Sequence, residues 1–143
     1  MDFNISNFID NRRRKAKIGD FQDLEHIDGV SVSTVSAGLY KEKRDDLVLF
    51  YFRDGASHAS VFTQSKIISE NLKWNKKIKS KKIYGLLINT RNANALTGTD
   101  GFNSLKTISV DLSKMLSEKQ NNDEENPKII NPNDILFACT GRI

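Results

Sequence analysis

The hydrophobic pattern along the chain switches between two periods, and the switches mark its elements. LVLFYF, residues 47–52, is apolar at every position and predicts a strand covered on both faces. Before it, Val30, Val32 and Thr34 alternate, and then Val35, Ala37 and Leu39 alternate in the opposite phase. One strand over 30–40 with a bulge near 34 accounts for the slip, because one extra residue re-aims every later side chain. KEKRDD, residues 41–46, reads as the turn between these strands. A second turn at Asp54 and Gly55 leads to a further strand over 57–63, completing an antiparallel meander.

IYGLLI, residues 83–88, is a fourth buried strand. A helical stripe follows over 101–117, with Phe102, Leu105, Ile108, Leu112, Met115 and Leu116 falling within about 140° of arc at about 100° per residue. Thr99 or Asp100 is placed to cap it. The polar run SEKQNNDEENPK, residues 117–128, is expected to end the helix, and ILFAC, residues 135–139, forms a last strand running into a Gly turn. Strand 83–88, helix 101–117 and strand 135–139 make a parallel crossover unit. The fold class is α/β in the α+β sense: a mixed sheet with an antiparallel N-terminal meander and a β-α-β crossover.

Composition narrows the class without changing it. The 143 residues suit one domain, and the 38% hydrophobic and 28% charged fractions suit a globular one. No apolar stretch approaches the roughly 20 residues of a spanning helix. Residues 1–28 form a polar arm, with a short helix expected near 5–16, and residues 29–143 form the folded part. The single cysteine, Cys139, excludes an internal disulfide and a multi-cysteine zinc site, and points to a reducing, cytoplasmic setting. KWNKKIKSKK, residues 73–82, carries six lysines and no acid beside Trp74. It reads first as a solvated connection and second as a nucleic-acid patch, for which nothing else in the chain speaks.

Candidate chemistry gathers at one edge of the sheet. Asn89, Asn92 and Asn94 follow the strand at 83–88, while Cys139, Thr140 and Gly141 end the strand at 135–139. In open sheets with crossover helices, ligands sit outside the carboxyl ends of the strands. A threonine before a glycine supplies a hydroxyl and a backbone N–H as convergent donors for an oxyanion. Gly141 would permit close backbone approach to a reacting group. The asparagines also have a plain reading as turn-stabilising side chains. Cys139 reads as an inert strand thiol, and neither His26 nor His58 has the spacing of a metal pair or a triad.

NTRNANALTGTDG, residues 89–101, resembles the N-S/A-G-N-A-N-A-x-T-G-x-x-G signature of the ornithine acetyltransferase (glutamate N-acetyltransferase) family. Near the terminus FACTGRI resembles that family's A-S-T-G-V-I segment. GVSVSTVSAGLYKEKRDDLVLFYF is similar to its opening hairpin, in which R-x-D-L commonly follows, and ASVFTQSKI is similar to its A-A/G-V-F-T-x-S/N stretch. The resemblance spans 29–143. It implies transfer of acetyl from N-acetylornithine to glutamate, with acetyl-CoA as an alternative donor in some members and no resident cofactor or metal. It also implies a precursor that cuts itself before a threonine, whose new amino group activates its own hydroxyl. Thr140 and Gly141 then match the oxyanion-hole pair, with Asn89, Asn92, Asn94 and Arg142 in the substrate's vicinity.

The departures are specific. Arg91 stands where the family pattern has glycine, placing a long cation where close packing is expected, and Arg142 stands where it has valine. The K-G-S/G-G-M-I-x-P segment and the Ala-Thr cleavage point are not among these residues, so the nucleophile is expected from a C-terminal half, and the chain alone is expected to be inactive. On this reading the folded part is the truncated N-terminal portion of an oligomeric acetyltransferase. Two alternatives remain at this point: an inactive partner-binding remnant, and a nucleic-acid-binding module using residues 73–82.

Overall fold

The computed structural model describes residues 25–123 and 127–142. Most of the arm at 1–28, with its expected helix, lies outside them, as do residues 124–126 of the polar run. Four strands form one mixed sheet in the order of the chain: β1 (Val30–Val35), β2 (Leu47–Ser57), β3 (Lys82–Asn89) and β4 (Ile135–Cys139). β1 and β2 are antiparallel, β2 and β3 are antiparallel, and β3 and β4 are parallel. The fold class read from the sequence is therefore the one observed.

Two local expectations are corrected. β1 has no bulge: its six residues pair in unbroken register from Val30 opposite Phe52 to Val35 opposite Leu47. The phase slip near 34 arises because the strand ends at Val35 and residues 36–46 form a loop. No strand forms over 57–63 either. β2 continues through Asp54 and Gly55, absorbing them in an irregularity between Tyr51 and Ala56, and ends at Ser57. Gly55 has φ +71°, a conformation that glycine adopts without penalty. The third strand of the meander is thus 82–89, and residues 58–69 run between elements.

Helix α1 (Glu70–Lys77) replaces the solvated connection expected over 73–82. Ser69 caps it, its side chain accepting from the Leu72 N–H. The signal for α1 was hidden by its lysines, which mask how firmly Trp74 is held. Trp74 is only 7% exposed and packs on Phe102 and Phe137 with ring centroids 5.8 Å away in both cases. Its indole N–H donates to the Ile135 carbonyl at 2.9 Å, and Asn75 bonds both the N–H and the carbonyl of Phe137. These side chains occupy the backbone groups of β4 on the edge away from β3, which protects an edge strand from pairing with another chain. The lysines point to separate duties: Lys73 pairs with Glu70 at 2.6 Å, Lys77 lies over Phe102, and Lys82 donates to the Asp54 carbonyl.

Helix α2 (Gly98–Asp123) crosses one face of the sheet and links β3 to β4. It starts at Gly98, ahead of both expected caps, and runs past 117 into the polar segment. Gln120 explains the extension. It is almost fully buried, accepting from the Tyr51 hydroxyl and donating to the Arg53 carbonyl at 2.8 Å, which ties the helix end to β2. The apolar stripe is also rotated from expectation. Leu105 and Leu116 are buried with Ser109 and Ser113, whereas Ile108 and Met115 are 41% and 64% exposed. Both serines bond to the carbonyl three residues earlier, so small polar side chains face the sheet at no cost in unpaired groups. Ile135, Phe137, Trp74 and Leu105 form the main core cluster, each contributing about 1.5–3 kcal/mol by burial.

The other face of the sheet is apolar and, among the described residues, has no helix packed across it. Cross-strand pairing puts Val30, Val32, Val48, Phe50, Phe52, Leu86, Ile88, Leu136 and Ala138 on it, and not one is buried. Val32 is 55% exposed. This arrangement explains why LVLFYF is apolar throughout: both faces of β2 carry hydrophobic side chains, though only one meets α2.

Candidate functional site

The crossover brings the ends of β3 and β4 side by side, and their pairing continues beyond the strands. The Thr140 N–H donates to the Asn89 carbonyl at 3.1 Å, the Arg142 N–H to the Arg91 carbonyl at 2.7 Å, and the Ala93 N–H to the Arg142 carbonyl at 2.9 Å. Gly141 sits between these bonds. A Cβ on it would lie 1.9 Å from the Arg91 oxygen and 2.0 Å from the Arg91 carbonyl carbon. The close approach that glycine permits here is to the neighbouring loop. The Gly141 N–H and the Thr140 hydroxyl have no acceptor or donor partner among the described residues.

Thr140 and Gly141 line a cavity of about 480 Å³ together with Tyr40, Arg44, Thr90, Arg91 and Arg142. The asparagines lie elsewhere. Asn89, Asn92 and Asn94 line a separate groove of about 800 Å³ that runs beneath the start of α2 toward Leu39 and Leu47. The expected cluster is thus divided: Thr140, Gly141 and Arg142 on one side of the paired loops, and the asparagines on the other.

Hydrogen bonding shows what the asparagines do. Asn89 donates to the Asn92 carbonyl at 2.8 Å, closing the turn. Asn94 is a junction for three segments: its side chain donates to Asn71 of α1 at 3.0 Å and accepts from the Thr97 hydroxyl. Its backbone carbonyl accepts from the Glu70 N–H at 2.9 Å, and its N–H points to the Cys139 sulfur. The buried Asn71 has its amide oxygen paired this way. Cys139 is half-buried and used as an acceptor, in keeping with an inert thiol. Among the described residues no group of three or more His, Cys, Asp or Glu is placed to hold a metal ion, and no helix is long and apolar enough to cross a membrane.

Arg91 has φ +75°, the left-handed region that glycine occupies freely. A glycine in the resembled pattern at this position is thus a backbone requirement, and Arg91 meets it under strain. Close packing of a side chain is not what the position demands. The Arg91 guanidinium lies 5.2 Å from the centre of the Tyr40 ring, and the Arg44 guanidinium lies 4.3 Å from it.

Tyr40, Arg44, Thr90 and Asp46 were not picked out as site residues, although Arg44 and Asp46 fall in the R-x-D-L segment. Asp46 organises the loop that carries Tyr40. Its carboxylate is fully buried and accepts from the N–H groups of Ala37 at 2.6 Å and Leu39 at 2.7 Å. Its carbonyl accepts from the Thr90 N–H at 2.9 Å, tying the loop to the end of β3. Burial by itself pushes the Asp46 carboxyl pKa up, but hydrogen bonds from the backbone of Ala37, Leu39, Tyr40 and Asp46 itself outweigh it and hold the group below its ordinary 3.8. A depressed folded-state pKa contributes stability that is present above the unfolded value and lost as pH falls through the folded one. Asp46→Asn is therefore expected to lower the melting temperature by several degrees above about pH 5, with the gap to the parent closing as pH drops below 3.8. Thermal denaturation across that range checks it.

A four-stranded mixed sheet with one crossover defines an α/β fold that solved structures share. It superposes on the ArgJ protein of Bacillus halodurans with TM-score 0.64 at 22% identity, covering 81% of this chain and 55% of that one. The ornithine acetyltransferase of Mycobacterium tuberculosis, solved with ornithine, gives TM-score 0.70 at 22% identity, covering 81% and 57%. Residues 31–143 match the ArgJ family model, and the chain belongs to the ArgJ family. Among curated relatives, the arginine biosynthesis bifunctional protein ArgJ of Caulobacter vibrioides is 29% identical over 86% of this chain, and that of Bartonella henselae 33% over 87%. The chain spans 28% of the length of each.

Proposed function

We propose that this chain supplies the oxyanion hole of an ornithine acetyltransferase-type enzyme, moving acetyl from N-acetylornithine to glutamate in arginine biosynthesis. The observation that carries the reading is that Thr140 and Gly141, whose hydroxyl and N–H have no partner among the described residues, line one cavity at the carboxyl ends of β3 and β4. When a nucleophile attacks the acetyl carbonyl, its oxygen gains negative charge. Two preorganised donors stabilise that charge without any reorganisation at the moment of reaction. Asn89 and Asn94 act on the far side of the paired loops as braces, holding the donors' backbone in place.

The threonine nucleophile comes from polypeptide outside these residues, the remaining part of an ornithine acetyltransferase-type chain. Its docking surface is the uncovered apolar sheet face around Phe50 and Leu86. Sheets with one apolar face open to water are completed by a second packed layer, and the relatives' length beyond the matched 28% is ample to provide it.

Coexpression of the 143-residue chain with the remaining part of the Caulobacter vibrioides relative tests this. The pair is expected to copurify and to transfer acetyl from N-acetylornithine to glutamate, while the chain alone transfers none. Turnover by the chain alone would remove the proposal, as would an inactive pair that nonetheless assembles.

A further inference from the structure

Helix α2 covers only part of its face of the sheet. On that face β1 and β2 place Ser31, Ser33 and Val35 opposite Tyr51, Leu49 and Leu47. Between these residues and α2 lies a cavity of about 340 Å³ whose walls include Val35, Leu47, Leu49, Ile108 and Met115. It adjoins the groove beneath the start of α2 and shares Leu47, Leu87 and Ile108 with it. Val35, Ile108 and Met115 are 53%, 41% and 64% exposed, so the two form one apolar trough open to water. Its charge is one-sided. The chain has 22 lysines and arginines, yet none lines either cavity, and the charged groups that do are Asp100 and Asp111. An exposed apolar surface rimmed in this way marks a docking site.

The occupant follows from where the described chain begins. Its first residue is Glu25, and His26 shares a cavity with Ser31, Tyr51, Lys119 and Gln120, at one end of the trough. The 24 residues before it carry an apolar run, Phe3, Ile5, Phe8 and Ile9, and then a basic run, RRRKAK, at 12–17. Ile5, Phe8 and Ile9 have the three- and four-residue spacing of one helical face. Going back along the chain from Glu25, the basic run is met first and the apolar run second. Going back along α2 from Gln120, Asp111 is met first, then Ile108 and the apolar walls around Leu39 and Leu47. Length also matches. From Gln120 to Asp100 α2 runs about 30 Å at about 1.5 Å per residue, and 24 residues reach about 36 Å at the same rise. We propose that the N-terminal segment, residues 1–24, docks in this trough, its basic run beside Asp111 and Phe3, Ile5, Phe8 and Ile9 against Ile108 and Leu47. Charge beside apolar contact fixes the direction of docking more than it adds affinity. The docked segment completes the layer beside α2 over β1 and β2, and it does not depend on the acetyl-transfer reading.

A nitroxide carried by Ser6→Cys, in a Cys139→Ser background of the 143-residue chain, reports the contact by NMR. Docking is expected to broaden the signals of Leu39, Leu47 and Ile108 several-fold more than those of Val48 and Ile88, which lie at the same end of the opposite face. Phe8→Asp is expected to abolish that difference. So is the joint change Arg12→Glu, Arg13→Glu and Arg14→Glu. Unchanged shifts for Trp74 and Phe137 would show that the core stays folded in both variants. A mixture of nitroxide-bearing chain without isotope and isotope-labelled chain without nitroxide reads out a second copy as the occupant. Broadening in that mixture would overturn the proposal. Equal or reversed broadening of the two faces would do the same, as would a difference that survives either variant.

Discussion

Thr140→Val is expected to cut acetyl transfer by the reconstituted pair about 10²–10³-fold, the usual cost of losing one oxyanion donor. Valine keeps the shape of threonine and removes only the hydroxyl. The backbone role of residue 140, its N–H on the Asn89 carbonyl, survives the change. Thr140 is exposed and its hydroxyl has no partner among the described residues, so stability should move by less than about 0.5 kcal/mol. Thr140→Ser restores a hydroxyl at the same atom and is expected to retain most of the rate. The loss should fall on kcat, because the donor strengthens its bond as charge develops and contributes little to ground-state binding. Steady-state kinetics of the three proteins decide the matter. Full activity in the valine variant would show that the hydroxyl is not a donor to the transition state.

Gly141→Ala carries the largest expected effect on the fold. A Cβ there would overlap the Arg91 carbonyl at 1.9–2.0 Å, less than any real contact, and both groups are backbone. No rotamer change relieves such a clash, so the two loops must part. Parting breaks the Arg142–Arg91 and Ala93–Arg142 backbone bonds, at about 0.5–1.5 kcal/mol each, and adds strain from φ +137°. The total is about 2–4 kcal/mol, measurable by urea denaturation. Because the clash lies at the end of β4, the main core around Trp74 and Ile135 should persist. The donors would be displaced with the loop, and a shift of about 1 Å costs about 10² in rate. An alanine variant with unchanged stability would mean that the loops do not pair in this way.

Arg91 and Gly141 show how the two loops divide their conformational demands. Both lie in left-handed or glycine-favouring backbone, and they meet in close backbone contact beside the bond from the Arg142 N–H to the Arg91 carbonyl. Gly141 meets its demand with no side chain. Arg91 meets it with a long cationic side chain that lines the cavity beside Tyr40.

Much of the architecture was legible in the chain before any coordinates. The apolar strands over 47–52, 83–88 and 135–139 and the existence of α2 follow from local patterning, because side-chain direction in strands and helices repeats at fixed intervals. The parallel crossover followed from the order strand, helix, strand, and it placed Thr140 and Gly141 beside the end of β3. α1 was missed because its lysines lower the apolar signal while Trp74 and Asn75 do the packing. The strand expected over 57–63 failed because β2 absorbed Asp54 and Gly55 as an irregularity, a choice made by pairing with β3 and not by the turn residues themselves. Residues and their order thus determined the fold class and the crossover that sets Thr140 and Gly141 beside the end of β3. Tertiary structure alone decided that the asparagines face a different groove, that glycine 141 makes room for a loop, and that three arginines from distant segments converge. Those facts depend on contacts between residues about 50 to 100 positions apart, and local periodicity carries no information about such distances.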